Sequence, residues 1–114
     1  MLGFSQGASL AYMIGLRNPS LVSGVLAIGG VMPEIDREGS IIHAQHVADA
    51  RSVRIFVARG VSDNAVSREA FTSQRDFFVS NGYSVTAYEY AGAHYLTDEL
   101  LGQVRQWLRR SSTE

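Results

Sequence analysis

Three residues of this sequence could form a nucleophile with its supporting base and acid: Ser5, His94 and Asp63. A serine hydroxyl becomes a good nucleophile when a histidine takes its proton, and a carboxylate then fixes the tautomer of the histidine and stabilises the imidazolium. Ser5 lies at the centre of the segment GFSQG at positions 3–7. This Gly-x-Ser-x-Gly pattern is typical of a nucleophile elbow, a sharp turn from strand to helix. We expect side chains at the two glycine positions to collide with the neighbouring strand and helix.

Each of these residues also has a purely structural interpretation. Ser5 could cap an apolar helix, and Asp63 could form a turn. His94 could be a loop histidine bound to Tyr95 or to a backbone carbonyl. The residues occur in the order Ser…Asp…His, and each is expected in a loop at the end of a strand. These two features support the chemical interpretation more strongly than the pentapeptide alone does.

Other titratable residues are weaker candidates. His43 and His46 are competing bases, but they precede the strand that leads to Asp63, and we expect both at the surface. Asp98 is explained as a charge at a helix start, and Asp76 as a solvated mid-helix residue. The following aromatic residues are expected to pack in the core rather than to bind a ligand: Phe71, Phe77, Phe78 and Trp107.

The elements that must position these residues can be predicted from apolar patterns. Apolar runs at 24–28, 53–58 and 84–90 predict strands, and the first two are typical of strands buried on both faces. Helices are predicted over 6–17, within 41–48, from Ser67 to Asn81-Gly82, and from Thr97 onward. The first helix is apolar on most of its surface, so we expect it to be covered on most sides.

Alternating strands and helices indicate an α/β fold with a parallel sheet. We predict about three parallel strands flanked by helices in three layers, with residues 1–114 forming a single domain. Reactive groups in such sheets collect in the loops that leave the carboxyl ends of the strands. Ser5, Asp63 and His94 are therefore expected to meet at one edge of the sheet.

The composition excludes several functions. With 46% apolar residues, 18% charged residues and a net charge of −1, the chain has an ordinary globular composition and no basic character for binding nucleic acid. It has no cysteine, which excludes disulfides and thiolate catalysis. No apolar run reaches the length of a membrane span, and no signal peptide is visible, so we predict a cytoplasmic protein without membrane contact.

The motifs together resemble a known family. The segments at 3–8, 60–66 and 92–94, with Gly29-Gly30 and Pro33, are similar to consecutive motifs of the α/β-hydrolase superfamily. The branch they resemble is that of the carboxylesterases, with phospholipase-like and acyl-protein-thioesterase-like enzymes. The resemblance covers nearly the whole chain but only the C-terminal half of the family fold.

The resemblance implies roles for four residues. Ser5 would be the nucleophile, His94 the general base and acid, and Asp63 the orienting carboxylate. The backbone N–H of Gln6 would donate to the oxyanion hole, because that donor is the residue after the nucleophile. No metal or cofactor is implied, and the substrate would be a small carboxylic ester.

The sequence also departs from the family. It has no counterpart of the strands before the elbow, or of the loop that supplies the second oxyanion donor, and Met1-Leu2 is all that remains of the strand leading into Ser5. We therefore expect an open apolar edge on the strand at 24–28, covered by a second copy in a homodimer or higher homo-oligomer. Ala93 stands where the family often has glycine, and Tyr95 and Leu96 suggest an apolar site mouth.

Three functional hypotheses follow. The chain could be an active serine esterase working through an acyl-enzyme, a catalytically impaired fragment serving as a folded assembly module, or one half of a composite active site. Residue types do not separate them. Geometry does, because a working triad needs His94 Nε2 within hydrogen-bond reach of Ser5 Oγ, and Asp63 on the other ring nitrogen.

Overall fold

Strands and helices alternate along the chain. The structure is a computed structural model that describes residues 1–113, with side chains through residue 110. The elements in chain order are β1 (Leu2–Phe4), α1 (Gln6–Arg17), β2 (Gly24–Ile28), α2 (Ala44–Asp49), β3 (Arg54–Gly60), α3 (Arg68–Ser80), β4 (Val85–Tyr90) and α4 (Asp98–Thr113). The predicted α/β class is confirmed.

The sheet of the described residues has four parallel strands in the order β1-β2-β3-β4, one more than predicted. The additional strand is β1, in which Leu2 pairs with Leu26 and Phe4 with Ile28. The Met1 amino group also donates to the Gly24 carbonyl at 2.9 Å. The expectation of an open edge on β2 is therefore wrong, because β1 covers it and itself becomes the edge of the sheet.

The two faces of the sheet bury separate halves of the core. Alternate residues of β2 and β3 point to opposite faces, as the two-residue period of a strand requires. Helices α1, α2 and α3 pack against one face of the sheet, which presents Val25, Ala27, Ile55 and Val57. The other face packs on α4: Leu26, Ile28, Phe56 and Ala58 lie with Leu100, Val104 and Trp107. The three layers are confirmed.

The predicted boundaries of α1, α3 and α4 hold closely, whereas α2 begins at Ala44, later than the predicted start at residue 41. Ser67 accepts a hydrogen bond from the backbone N–H of Ala70, Thr97 accepts one from Leu100, and Gly82 has the left-handed φ of 85° expected after a helix end. The four aromatic side chains assigned to the core lie there, with Phe77 partly exposed. Strand β3 continues through residues 59 and 60, beyond its predicted end at 58, because they still pair with β4.

Helix α1 is less covered than predicted. Ala8, Ala11, Tyr12 and Leu16 are buried against the sheet, but the side chain of Leu10 is 56% exposed on the opposite side. The apolar pattern of α1 is therefore broader than the face that packs. Across the part of the chain that the structure describes, no helix combines the length and the apolar character required to cross a membrane.

Candidate active site

Ser5 lies at a strained turn between β1 and α1. Its φ of 59° and ψ of −121° are values that a non-glycine residue adopts at a cost on the order of 1–3 kcal/mol. The turn is held by the backbone N–H of Ser5, which donates to the Ile28 carbonyl at 2.9 Å. The Ser5 side chain makes no capping hydrogen bond to α1, so the interpretation of Ser5 as a helix cap is wrong.

The two glycines that flank Ser5 differ in what surrounds them. A Cβ on Gly3 would overlap the carbonyl group of Gly7 and press on the backbone nitrogen of Ala8, whereas a Cβ on Gly7 would meet open space. The steric expectation is therefore confirmed for Gly3 and wrong for Gly7. The strand enters the elbow directly against the first turn of the helix, and this close approach requires glycine only on the strand side.

This asymmetry predicts opposite effects of two matched substitutions. Gly3→Ala is expected to lower the free energy of unfolding by about 1–3 kcal/mol, because the added methyl group forces backbone apart in a packed turn. Gly7→Ala should leave it unchanged or raise it by up to about 1 kcal/mol, because alanine favours a helix over glycine. Urea unfolding followed by circular dichroism measures both. Equal destabilisation by the two substitutions would contradict the steric explanation.

His94 lies between Ser5 and Asp63. Its Nε2 is 3.0 Å from Ser5 Oγ, and its Nδ1 is 2.9 Å from Asp63 Oδ2. The imidazole ring also packs on the ring of Phe4, with centroids 4.9 Å apart. The structure thus brings together the three residues that the sequence singled out, and the alternative of a loop histidine bound to Tyr95 or a backbone carbonyl is wrong.

The loops that carry Asp63 and His94 are paired with each other. The backbone N–H of Val61 donates to the Tyr90 carbonyl at 2.8 Å, and that of Ser62 donates to the Gly92 carbonyl at 2.9 Å. Gly60 approaches the Gly92 carbonyl so closely that a Cβ there would overlap it. These contacts fix the spacing of the two loops beyond the ends of β3 and β4.

The side chain of Asp63 is fully buried. It forms hydrogen bonds both with the backbone of its own turn and with His94. Its Oδ1 accepts from the backbone N–H groups of Ala65 at 2.7 Å and Val66 at 3.1 Å. Burial raises the pKa of the Asp63 carboxyl, but the hydrogen bonds from His94, Ala65 and Val66 outweigh it and hold the pKa below its ordinary value. At neutral pH a carboxyl with a lowered pKa is ionised and can only accept, so the tautomer of His94 that fits this geometry carries its proton on Nδ1 and accepts from Ser5 through Nε2.

Gln6 begins α1 immediately after Ser5. The first N–H groups of a helix have no intrahelical acceptor and lie at its positive end, so the Gln6 N–H can bind a developing negative charge.

A cavity of about 170 Å³ lies beside Ser5 and Gln6. The cavity is lined by residues from the elbow, the loop after β2, the acid loop and the histidine: Ser5, Gln6, Ser9, Gly29, Gly30, Val31, Ala65, Val66 and His94.

The competing titratable residues lie elsewhere. His43 is exposed and bonds Asp36 through Nδ1 at 3.1 Å, while His46 Nδ1 accepts from the His43 backbone. Asp76 is exposed on α3 beside Arg75, as predicted. Within residues 1–113, the histidines and carboxylates form no group of three that could hold a metal ion.

Sequence reasoning missed two residues that support this site. Phe4 packs on the His94 ring, and Gln74 donates through Nε2 to the Gly30 carbonyl at 3.0 Å while accepting from the Tyr12 hydroxyl at 2.9 Å. Gln74 thereby ties α1 and α3 to the loop after β2, where Gly30 lies against the Ser5 carbonyl. The sequence gives no signal for this role, because a glutamine within an amphipathic helix is ordinarily a surface residue.

The parallel sheet between helices, with a serine elbow and with carboxylate and histidine on later loops, defines the α/β-hydrolase fold. The profile of the phospholipase/carboxylesterase family matches residues 1–112, and the chain belongs to this family.

Solved structures show the same fold. A carboxylesterase from Bacillus cereus matches with a TM-score of 0.76 at 19% identity, covering 96% of this chain and 48% of its own. Acyl-protein thioesterase 2 from Zea mays matches with a TM-score of 0.76 at 20% identity, covering 96% and 54%. A carboxylesterase from Mesorhizobium loti gives a TM-score of 0.73 at 21% identity, covering 95% and 47%. The chain therefore spans about half the length of these proteins. Comparison with curated proteins gives no match.

Proposed function

We propose that this chain is a serine hydrolase acting on carboxylic esters, with Ser5 as nucleophile, His94 as general base and acid, and Asp63 as orienting carboxylate. The observation that carries the proposal is the continuous line of hydrogen bonds from Ser5 Oγ to His94 Nε2 at 3.0 Å and from His94 Nδ1 to Asp63 Oδ2 at 2.9 Å. Membership of the phospholipase/carboxylesterase family supports the same reaction class.

The first half of the proposed reaction forms an acyl-enzyme. Ser5 Oγ attacks the carbonyl carbon of the ester as its proton passes to His94 Nε2, and the resulting imidazolium is stabilised by the Asp63 carboxylate. The carbonyl oxygen becomes an oxyanion and accepts from the Gln6 N–H. When the tetrahedral intermediate collapses, the bond to the alcohol oxygen breaks and His94 gives its proton to the leaving alcohol.

The second half releases the acid. Water attacks the acyl carbon while His94 Nε2 takes one of its protons, and the bond to Ser5 Oγ breaks as His94 returns the proton to Ser5. The products are a carboxylic acid and the free enzyme. This sequence of steps uses no metal or cofactor.

The size of the cavity supports a small acyl group. Its volume of about 170 Å³ lies below the roughly 300–1,000 Å³ of pockets that hold drug-sized ligands. Among its lining residues only Gln6 is assigned as an oxyanion donor, and loss of one such donor reduces turnover by about 10²–10³ in comparable sites. We therefore expect slow turnover of short-chain esters by this chain alone.

The experiment that tests the proposed function is hydrolysis of p-nitrophenyl butyrate by the purified chain beside its Ser5→Ala variant. Turnover that depends on Ser5 supports the esterase. Equal background rates would instead favour a folded module that retains these residues without catalysing, or a site that needs a second polypeptide.

A second proposal concerns self-association and rests on the edge strand. In the sheet of the described residues, β1 has β2 on one side only, and Met1 and Leu2 at its start are 49% and 48% exposed. Exposed apolar edges recruit another strand. We propose that β1 pairs with a second copy, so light scattering at micromolar concentration should give at least twice the chain mass, and Leu2→Lys should shift it towards the monomer. A monomer in both samples would contradict this.

A further inference from the structure

Arg59, near the carboxyl end of β3, is a charged residue that is buried, with an exposed fraction of only 6%. Its guanidinium group donates to backbone carbonyl oxygens rather than to solvent. Nε binds the Gly60 carbonyl at 2.9 Å, and the two terminal nitrogens bind the carbonyls of Val61 at 2.7 Å and Val66 at 3.0 Å. One rigid, planar group therefore holds two segments of the backbone at once, residues 60–61 and Val66, as a guanidinium fork allows.

These carbonyls bracket the loop that carries Asp63. Gly60, the last residue of β3, and Val61 lead into the loop, and Val66 ends it, so Arg59 binds the backbone at both ends of the loop. Inside the loop, Asp63 Oδ1 accepts from the N–H groups of Ala65 and Val66. With Oδ1 engaged in this way, the orientation of the remaining oxygen, Oδ2, towards His94 depends on the shape of the loop.

The charge of Arg59 is balanced from the neighbouring strand. Glu89 on β4 pairs with Arg59 in the sheet register, and its Oε2 lies 3.4 Å from Arg59 Nε. Its other oxygen, Oε1, lies 3.0 Å from a terminal nitrogen of Arg68, whose side chain is 75% exposed. The buried guanidinium of Arg59 thus lies beside a carboxylate, and its N–H groups donate to backbone carbonyls. A buried charge is tolerated when it is paired and hydrogen-bonded in this way.

We propose that Arg59 is a positioning residue for the site: it sets the conformation of the 60–66 loop so that Asp63 Oδ2 meets the His94 Nδ1–H. The effect on turnover rests on the proposed serine hydrolase. The effect on the hydrogen bond between Asp63 and His94 does not, and can be observed without any substrate.

The test uses Arg59→Lys, which keeps the charge beside Glu89 but removes the fork that spans the carbonyls of Gly60, Val61 and Val66. The matched control is Arg68→Lys, because Arg68 contacts the same carboxylate from the exposed side. The substrate-free readout is the proton NMR signal of His94 Nδ1–H, which lies at low field when this proton is held by a carboxylate. We expect the signal in the wild type and the control, and its loss or broadening in Arg59→Lys.

The kinetic readout is a double-mutant cycle with Asp63→Asn. Arg59→Lys should lower kcat for p-nitrophenyl butyrate by about 10- to 100-fold with little change in KM, as expected for a misplaced catalytic group. In the Asp63→Asn background the same substitution should change kcat by less than about twofold, because there is then no carboxylate left to position.

Three results would overturn the proposal: an unchanged Nδ1–H signal in Arg59→Lys, an equal loss of kcat in both backgrounds, or a variant that no longer folds by circular dichroism. The last would assign Arg59 to stability instead of positioning. If the wild type gives the NMR signal but no turnover, the proposed function fails while the NMR comparison still decides the role of Arg59. A wild type without the signal lacks the bond on which the proposal depends.

Discussion

Ser5→Ala is expected to reduce the hydrolysis of p-nitrophenyl butyrate to the background rate of the assay. The substitution removes the oxygen that would form the acyl-enzyme, and loss of the nucleophile in a serine triad lowers kcat by roughly 10⁶. The residual contribution of the oxyanion donor lies far below what a colorimetric assay detects. Initial rates at several enzyme concentrations measure the effect, and mass spectrometry after reaction with a fluorophosphonate should show an adduct on the wild type alone.

The matched control for this experiment is Ser9→Ala. Ser9 lines the same cavity, but its hydroxyl donates to the Val31 carbonyl at 2.6 Å and has no role in the proposed mechanism. Its removal should change kcat by no more than a few-fold. A wild type no faster than Ser5→Ala would contradict the esterase proposal, and equal losses in both serine variants would point to a disturbed cavity instead of a lost nucleophile.

The sequence predicts the elements of this fold best where burial is continuous. Strands β2 and β3 are apolar on both faces, and helices α3 and α4 have capping residues, so local patterns suffice to locate them. Strand β1 has only three residues, too few to show a period, and exists because it pairs with β2. The extension of β3 through Arg59 likewise depends on pairing with β4. The sequence did not indicate it, because a charged residue after an apolar run ordinarily indicates a loop.

The residues of the site also fall into two groups, those that the sequence predicts and those that only the structure reveals. Ser5, Asp63 and His94 were predictable as neighbours, because loops that leave the carboxyl ends of parallel strands meet at one edge of a sheet. The contacts of Arg59 and Gln74 were not, because both side chains bind backbone carbonyls: Gln74 reaches Gly30, far along the chain, and Arg59 reaches Val66 only once the loop between them has folded back. No pattern of residue types encodes where a carbonyl group will point. The chemical groups of a site are therefore easier to predict than the side chains that orient them.

Asp63→Asn is expected to lower kcat for p-nitrophenyl butyrate by about 10⁴ with little change in KM. Asparagine retains the shape of the side chain and can still accept from the Ala65 and Val66 backbone. It loses the negative charge that stabilises the imidazolium, and an amide N–H facing Nδ1 favours the tautomer of His94 that cannot accept the Ser5 proton. Steady-state kinetics test this, and a loss below about tenfold would contradict the proposed role of Asp63.

The same substitution should also change how stability depends on pH. The pKa of Asp63 is lower in the folded protein than its ordinary value, so its charge stabilises the fold above the unfolded pKa, and this stabilisation is lost as pH falls through the folded pKa. Asp63→Asn should therefore lower the free energy of unfolding at pH 7 and approach the wild-type value as the pH falls below about 4. The control is Asp76→Asn on the exposed face of α3, which should have little effect at either pH because its ion pair with Arg75 is solvated. A penalty for Asp63→Asn of equal size at pH 7 and pH 3 would show that shape, and not the charge held by His94 and the loop backbone, accounts for the contribution of Asp63.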